Sequence, residues 1–278
     1  MGTTFEGKVA FITGAARGQG RSHAVRFAEE GANIIAVDLC DQLASVTYPM
    51  STREDLDETI NLVEKTGRRI VAEQADVRDF DRLKAVVADG VADLGRVDYI
   101  LANAGIMPIL GDPSHQISAY LDAVNVMLNG VYFTIEAALP ALLDHGDGGA
   151  IVITSSSAGL KVGGTRFSTM NHGSAGYAAA KHGVVGLMRY YGNSLAEKNI
   201  RVNSVHPTGV ATPMVVNEQF MQYAMEHPEF GQTMQNLLPN VPVIEASDIT
   251  EAMVYLCGTS GRYITGITHS VDAGLVVK

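Results

Sequence analysis

The stretch Val9-Ala10-Phe11-Ile12-Thr13-Gly14-Ala15-Ala16-Arg17-Gly18-Gln19-Gly20 decides the fold. A short apolar run enters a Gly-x-x-x-Gly-x-Gly turn at Gly14, Gly18 and Gly20, and an amphipathic stretch, Ser22–Glu30, follows at once. Glycines at a strand-to-helix turn let the backbone fold back tightly and approach a pyrophosphate, whose charge the helix N-terminus stabilises. The spacing is not the G-x-G-x-x-G of the dinucleotide fingerprint, and a tight turn can use glycines with no ligand. Position has to decide between the two readings.

Outward from this turn one rhythm covers the chain. Short apolar runs at Val9–Thr13, Asn33–Val37, Arg69–Glu73, Tyr99–Ala102, Ala150–Thr154, Arg201–Val205 and Ile267–Val271 read as strands. Helical patterns lie between them at Ser22–Glu30, Glu54–Thr66, Phe80–Leu94, Ile117–Leu143, Tyr177–Lys198 and Ser247–Cys257. Continuously apolar strands separated by helices indicate a parallel sheet covered on both faces. Right-handed crossovers make it doubly wound, so the expected class is α/β, a Rossmann-like sheet between two helical layers. No repeat or Pro/Gly linker divides the chain, which predicts a single domain over residues 1–278. Two segments break the rhythm: Asp41–Thr52 is long for a strand-to-helix loop, and Val210–Val241 carries Met-rich stretches around His227-Pro228. Long loops in such domains are often functional, and role-free surface insertions are the competing reading.

With 278 residues, 46 % of them hydrophobic and 18 % charged, the chain has apolar content for a large core. A net charge of −10 speaks against nucleic acid or an anionic membrane as partner, since both need a basic face. Two cysteines, Cys40 and Cys257, exclude a disulfide framework and a cysteine-rich zinc site; no clustered His/Cys/Asp spacing predicts any other metal. Met1 to Lys8 leaves no room for a signal peptide, and Glu6 stands where a myristoylation site at Gly2 wants Ser or Thr. No apolar run reads as long enough to span a bilayer, so the expected place is the cytoplasm.

Strand ends sharpen the reading of the glycine turn. The second strand ends at Asp38, roughly 20 residues past the glycines, where a carboxylate accepts hydrogen bonds from the adenosine ribose. Its charge would repel a 2′-phosphate, whereas Arg17 inside the turn would favour one. A carboxylate facing a phosphate is the costlier arrangement, so NAD is expected over NADP. After the third strand, Asp76 and Val77 are placed to hold an adenine ring with a carboxylate and a backbone amide. After the fourth, the small residues of Asn103-Ala104-Gly105 let backbone approach the cofactor. Each signal alone is ordinary turn chemistry. Four of them at four successive strand ends predict a crevice.

Tyr177-Ala178-Ala179-Ala180-Lys181 puts a phenol and an ammonium on one face of one helix. A tyrosine is a poor base at neutral pH, but a neighbouring cation favours its phenolate. Upstream, Thr154-Ser155-Ser156-Ser157-Ala158-Gly159 ends the fifth strand at the same sheet edge. A hydroxyl there can hold a carbonyl or alcohol oxygen while the tyrosine exchanges its proton. The competing reading of Tyr-x-x-x-Lys is an exposed helical pair.

These motifs, with Asn203-Ser204-Val205-His206-Pro207-Thr208-Gly209 after them, occur in the order of the short-chain dehydrogenases/reductases, which the chain resembles over essentially its whole length. The resemblance implies Tyr177 as acid/base, Lys181 as its pKa tuner and ribose ligand, and Ser156 as donor to the substrate oxygen. Ser156 is preferred because it precedes the Ser157-Ala158-Gly159 step; Ser155 and Ser157 are the near alternatives. Gly14, Arg17, Gly18, Gln19, Gly20, Asp38, Asp76, Val77, Asn103, Ala104 and Gly105 would hold the cofactor, with Pro207, Val210 and Thr212 near the nicotinamide. The segment from Gly14 to His23 and the insertion through Tyr48-Pro49 to Leu56 look like the mycofactocin-associated subfamily, similar to carveol dehydrogenase. That resemblance implies tightly held NAD, covered by the insertion, and a peptide-derived redox carrier as electron partner. The wider family resemblance implies a homotetramer, for which the long apolar helices at 117–143 and 177–198 offer faces.

Two departures stand out. The family's Asn-Leu-x-Gly step has Met127 in the Asn place, with Asn125 and Asn129 each about 200° away around a helix. Loss of that Asn should slow proton exchange without abolishing hydride transfer; a helix register shift bringing in Asn125 is the lesser alternative. The step from Ser156 to Tyr177 is longer than usual, so residues 162–176, with Arg166, Phe167, Met170 and His172, are expected to form an extra loop beside the substrate. Met107, Pro108, Ile109, Val162, Met214, Phe220, Tyr223 and Met225 are candidates to line an apolar pocket for a small secondary alcohol or ketone. The alternative function is an NAD-binding sensor or scaffold with little turnover, motivated by Met127 and opposed by intact Ser156, Tyr177 and Lys181.

Overall fold

The computed structural model describes residues 4–162 and 166–278; Gly2 and the 163–165 part of the 162–176 stretch lie outside the described residues. The strands are β1 Val9–Thr13, β2 Asn33–Asp38, β3 Ile70–Gln74, β4 Tyr99–Ala102, β5 Gly149–Thr154, β6 Ile200–Pro207 and β7 Thr268–Val271. They form one parallel sheet in the order β3-β2-β1-β4-β5-β6-β7. The order reverses between β1 and β4, and at such a switch point the strand C-termini open a crevice.

Helices α1 Gly18–Glu29, α2 Arg53–Lys65 and α9 Ala246–Cys257 cover one face. On the other lie α3 Phe80–Leu94, α4 Ile117–Val124, α5 Gly130–Asp144 and α6 His172–Ser194. Side-chain alternation along β1 separates the two cores: Phe11 packs with Ile35, Ile100 and Val184, and Ala10 and Ile12 pack with Ile34, Phe27 and Met253. Helix starts follow local chemistry. Thr52 and Asp55 close a capping box on α2, Asp79 accepts the Arg82 N–H on α3, and Asn171 accepts the Ser174 N–H on α6.

Four expectations need correction. The pattern at 117–143 is two α-segments joined by a π turn, Asn125–Asn129. As one continuous helix, Ile117–Asp144 has 28 residues and holds an 18-residue window of mean hydropathy 1.5, so one apolar element does reach membrane-spanning length. Its most apolar window is 50 % buried inside the domain, and it packs against α3, α6 and the sheet, which is where its apolar surface goes. The loop expected at 162–176 is shorter, because His172–Gly176 already belongs to α6. Gly173 and Gly176 are helical for close packing: a Cβ would lie 1.7 Å from the Pro108 carbonyl oxygen at the first and 2.8 Å from Tyr120 Cα at the second. Finally, Val210–Val241 is not all loop but contains α7 Glu218–Glu226 and α8 Pro228–Met234.

Candidate active site

The C-terminal ends of β1, β2, β4, β5 and β6 open into one cavity of about 360 Å³. Every candidate cofactor residue of the sequence lines it, from Gly14, Arg17, Gly18, Gln19 and Gly20 through Asp38, Asp76, Val77, Asn103, Ala104 and Gly105 to Pro207, Val210 and Thr212. Ser156, Tyr177 and Lys181 line the same cavity.

At the glycine turn, Gly14 has φ +69 and a Cβ there would sit 2.8 Å from Ala104 Cα, so only glycine lets β1 and β4 end this close together. At Gly20 a Cβ would meet the Gly14 carbonyl oxygen at 2.0 Å. Asn103 ties the strand ends, donating to the Thr13 carbonyl at 3.0 Å and accepting from the Thr154 hydroxyl at 3.3 Å. Asp38, at the end of β2, is held by three donors of the chain itself. It accepts the Ala16 N–H at 2.9 Å, the Cys40 N–H at 3.2 Å and the Ser51 hydroxyl at 2.6 Å. Arg17 turns toward the insertion and donates to the Pro49 carbonyl at 2.6 Å. Asp76 pairs with Arg78 at 2.6 Å, and Arg78 reaches on to Asp122 at 3.2 Å. Gln19 Oε1 is buried in the cavity with no partner among the described residues, as an acceptor waiting for a ligand donor would be. A glycine cradle, an acid at the second strand end and an orphaned buried acceptor together fit a dinucleotide.

The candidate reactive groups come from the segment just after β5 and from α6. Ser155 donates its hydroxyl to the Lys181 carbonyl at 2.8 Å, which commits its proton to the backbone of α6. Ser156 caps a short turn, its Oγ accepting the Ala158 N–H at 3.1 Å, and its side chain is near enough to the Tyr177 phenol to favour the ionised form. Lys181 lies 5.8 Å from the Tyr177 ring centroid and donates to the Thr154 carbonyl at 2.9 Å. Burial pushes the Lys181 ammonium down to about 8. The expected lowering of the Tyr177 phenol does not occur in the chain by itself: burial raises its pKa, and the nearby Ser156 side chain only partly opposes this.

Met127 is fully buried beside these groups; a Cβ on Gly105 would lie 3.7 Å from both Met127 Sδ and Lys181 Nζ. The helix does change register here, by the π turn, yet neither flanking Asn enters. Asn129 donates to Asn125 at 2.9 Å on the outer face.

Of the apolar candidates, Met107, Ile109, Val162, Met214 and Phe220 line the cavity, joined by Val215, Phe230, Met234 and Leu275. Pro108, Tyr223 and Met225 are not among the lining residues. Pro108 abuts Gly173, Tyr223 stacks within α7 and α8 on His227 and Phe230, and Met225 is exposed. Arg166, Phe167, Met170 and His172 also stay off the cavity wall.

Sequence reasoning passed over Ser51 and gave His206 no part beyond its place in the Asn203–Gly209 motif. His206 is fully buried, with Nδ1 2.8 Å from the Ser156 carbonyl oxygen and Nε2 2.8 Å from Ser204 Oγ. Burial pushes its imidazole down to about 4, so it is neutral. The signal that could have found it was its place at the end of a strand adjoining the one that bears the serines.

A family model described as enoyl-(acyl carrier protein) reductase matches residues 14–276. An uncharacterized oxidoreductase of Mycobacterium tuberculosis is 52 % identical over 278 residues, spanning 98 % of this chain and 97 % of that protein. The (−)-trans-carveol dehydrogenase of Rhodococcus erythropolis is 44 % identical, spanning 98 % of this chain and 99 % of its own. The crystal structure of carveol dehydrogenase from Mycobacterium avium in complex with NAD is similar with a TM-score of 0.91 and 44 % identity, over 99 % of this chain and 100 % of the other. Similar from end to end to these proteins in sequence and in fold, the chain belongs to the short-chain dehydrogenase/reductase family of oxidoreductases.

Proposed function

We propose that this oxidoreductase uses NAD to interconvert a small, mostly apolar secondary alcohol, of terpenoid-alcohol type, and its ketone. The observation that carries the reading is continuity: the glycine turn and Asp38 share one cavity with Ser156, Tyr177 and Lys181 and with an apolar wall of Met107, Met214, Phe220 and Phe230. The NAD-bound carveol dehydrogenase of Mycobacterium avium and the carveol dehydrogenase of Rhodococcus erythropolis support the choice of cofactor and substrate class.

Bound NAD would supply the hydride acceptor or donor and, when oxidised, one further positive charge. In this reading the Ser156 hydroxyl orients the substrate oxygen and Tyr177 exchanges a proton with it. Burial keeps Tyr177 protonated, which suits donation toward a ketone. Toward an alcohol it must first ionise, and the Lys181 charge favours that. The insertion supports tight cofactor holding, because Leu43, Tyr48, Met50 and Ser51 line the cavity while Ser45 is fastened to Asp122 at 2.7 Å. A redox carrier as electron partner and a tetrameric assembly complete the proposal by resemblance to the subfamily.

The test has two parts. Denatured purified protein should release NAD, and Tyr177→Phe should abolish turnover on a panel of secondary alcohols and ketones. An empty protein that binds only NADP would sink the cofactor reading. No turnover by the unaltered protein across the panel would favour a sensor or scaffold instead.

A further inference from the structure

Tyr48 is 2 % exposed and comes from the 41–52 insertion, not from a strand end. Its phenol oxygen accepts the Met107 N–H at 3.1 Å, and its side chain lines the cavity shared with Gly14, Arg17 and Tyr177. Both the Arg17 guanidinium and the Tyr177 phenol are near enough to act on it electrostatically. Tyr48 therefore shares one cavity wall with the glycine turn, where a pyrophosphate would sit, and with the Tyr177 end.

A phenol that accepts one hydrogen bond still has its own O–H to donate. Burial holds that proton on the oxygen. Among the described residues nothing takes it: the Met107 N–H and the Arg17 guanidinium are donors only, and the Tyr177 phenol makes no hydrogen bond with Tyr48. Buried tyrosine hydroxyls generally find a partner, and one facing a cavity finds it in the ligand. The loop presents Tyr48 in a fixed pose: Gln42 donates to the Val46 carbonyl at 2.8 Å and accepts the Met50 N–H at 3.0 Å, and Ser45 donates to Asp122.

We propose that Tyr48 is a cofactor-binding residue whose hydroxyl donates a hydrogen bond to the diphosphate–ribose stretch that joins adenosine to nicotinamide. The inference rests on the NAD reading above. Tyr48→Phe keeps the ring and removes the hydroxyl, so it should raise the dissociation rate of labelled NAD about tenfold in a chase experiment. Affinity for ADP-ribose, measured by calorimetry on nucleotide-free protein, should fall by about the same factor. Affinity for AMP, which lacks that stretch, should stay within about twofold. Ser45→Ala, which unfastens the loop without touching the phenol, should raise the NAD dissociation rate less than Tyr48→Phe does.

An NAD dissociation rate within about twofold of the unaltered protein would overturn the role of Tyr48, as would equal losses for AMP and ADP-ribose. So would an equal effect of Ser45→Ala, since closure of the loop would then hold the cofactor. An unaltered protein that binds no NAD would overturn the parent reading together with this one, so the two failures are distinct.

Discussion

At the scale of single residues, His206 sets the position of a neighbour. The Ser156 carbonyl only accepts, so Nδ1 carries the ring proton and Nε2 accepts from the Ser204 hydroxyl. The ring thereby pins the backbone of the serine that faces Tyr177. His206→Ala should lower kcat by about tenfold or more with KM within about twofold, because misplacing Ser156 costs orientation and not binding. Steady-state kinetics on an accepted alcohol or ketone would read this, and restoration of most of kcat by His206→Gln, which can still donate to the carbonyl, would separate positioning from general damage. Met127 fills fully buried space next to Lys181. Met127→Ala should cost about 2–5 kcal/mol by leaving a cavity, and Met127→Leu less than about 1.5 kcal/mol, both measured by denaturant unfolding. The Met could be read from the sequence as a departure. That it meets Gly105 at the same cavity wall as Lys181 could not, because burial at one helical position depends on a partner across the chain.

Among the elements, α6 shows where local rules mislead. Glycines at 173 and 176 read as loop, since glycine disfavours helix interiors. The helix keeps them because α4 and the Pro108 backbone approach too closely for a Cβ. Gly186 lies in the same helix with nothing within 4 Å of its virtual Cβ. Gly186→Ala should therefore stabilise the protein by about 0.5–1 kcal/mol through lower unfolded-state entropy and better helix propensity. Gly173→Ala should destabilise it by about 2 kcal/mol or more and displace the start of α6, since a Cβ there would lie 1.7 Å from a carbonyl oxygen. Thermal melts of the pair would test the contrast. The strands were far more legible than α6, because a strand buried on both faces leaves an unbroken apolar run in the sequence.

Across the whole molecule, two buried imidazoles couple folding to pH. Burial pushes His23 down to about 3 and His206 down to about 4, against an ordinary value of 6.5. Below pH 6.5 the unfolded chain takes up protons that the folded chain refuses. Stability should thus be complete above pH 6.5 and fall as the pH drops from there through about 4, by on the order of 3 kcal/mol for His206. Denaturation midpoints between neutral pH and pH 4.5 would show the slope, and His23→Gln or His206→Gln should each flatten it. The sequence by itself determined the doubly wound sheet, the glycine turn, Asp38 and the Tyr177–Lys181 pair, because periodicity and strand ends are local and survive in the order of residues. Folding alone settles that the Ser155 hydroxyl is taken by the Lys181 carbonyl, that Asp38 is held by Ser51, that Met127 and Lys181 meet at Gly105, and that Tyr48 lines the cavity. Each of these depends on which buried partner a polar or bulky group meets. Packing brings those partners together from distant parts of the chain, and no spacing along the sequence encodes it.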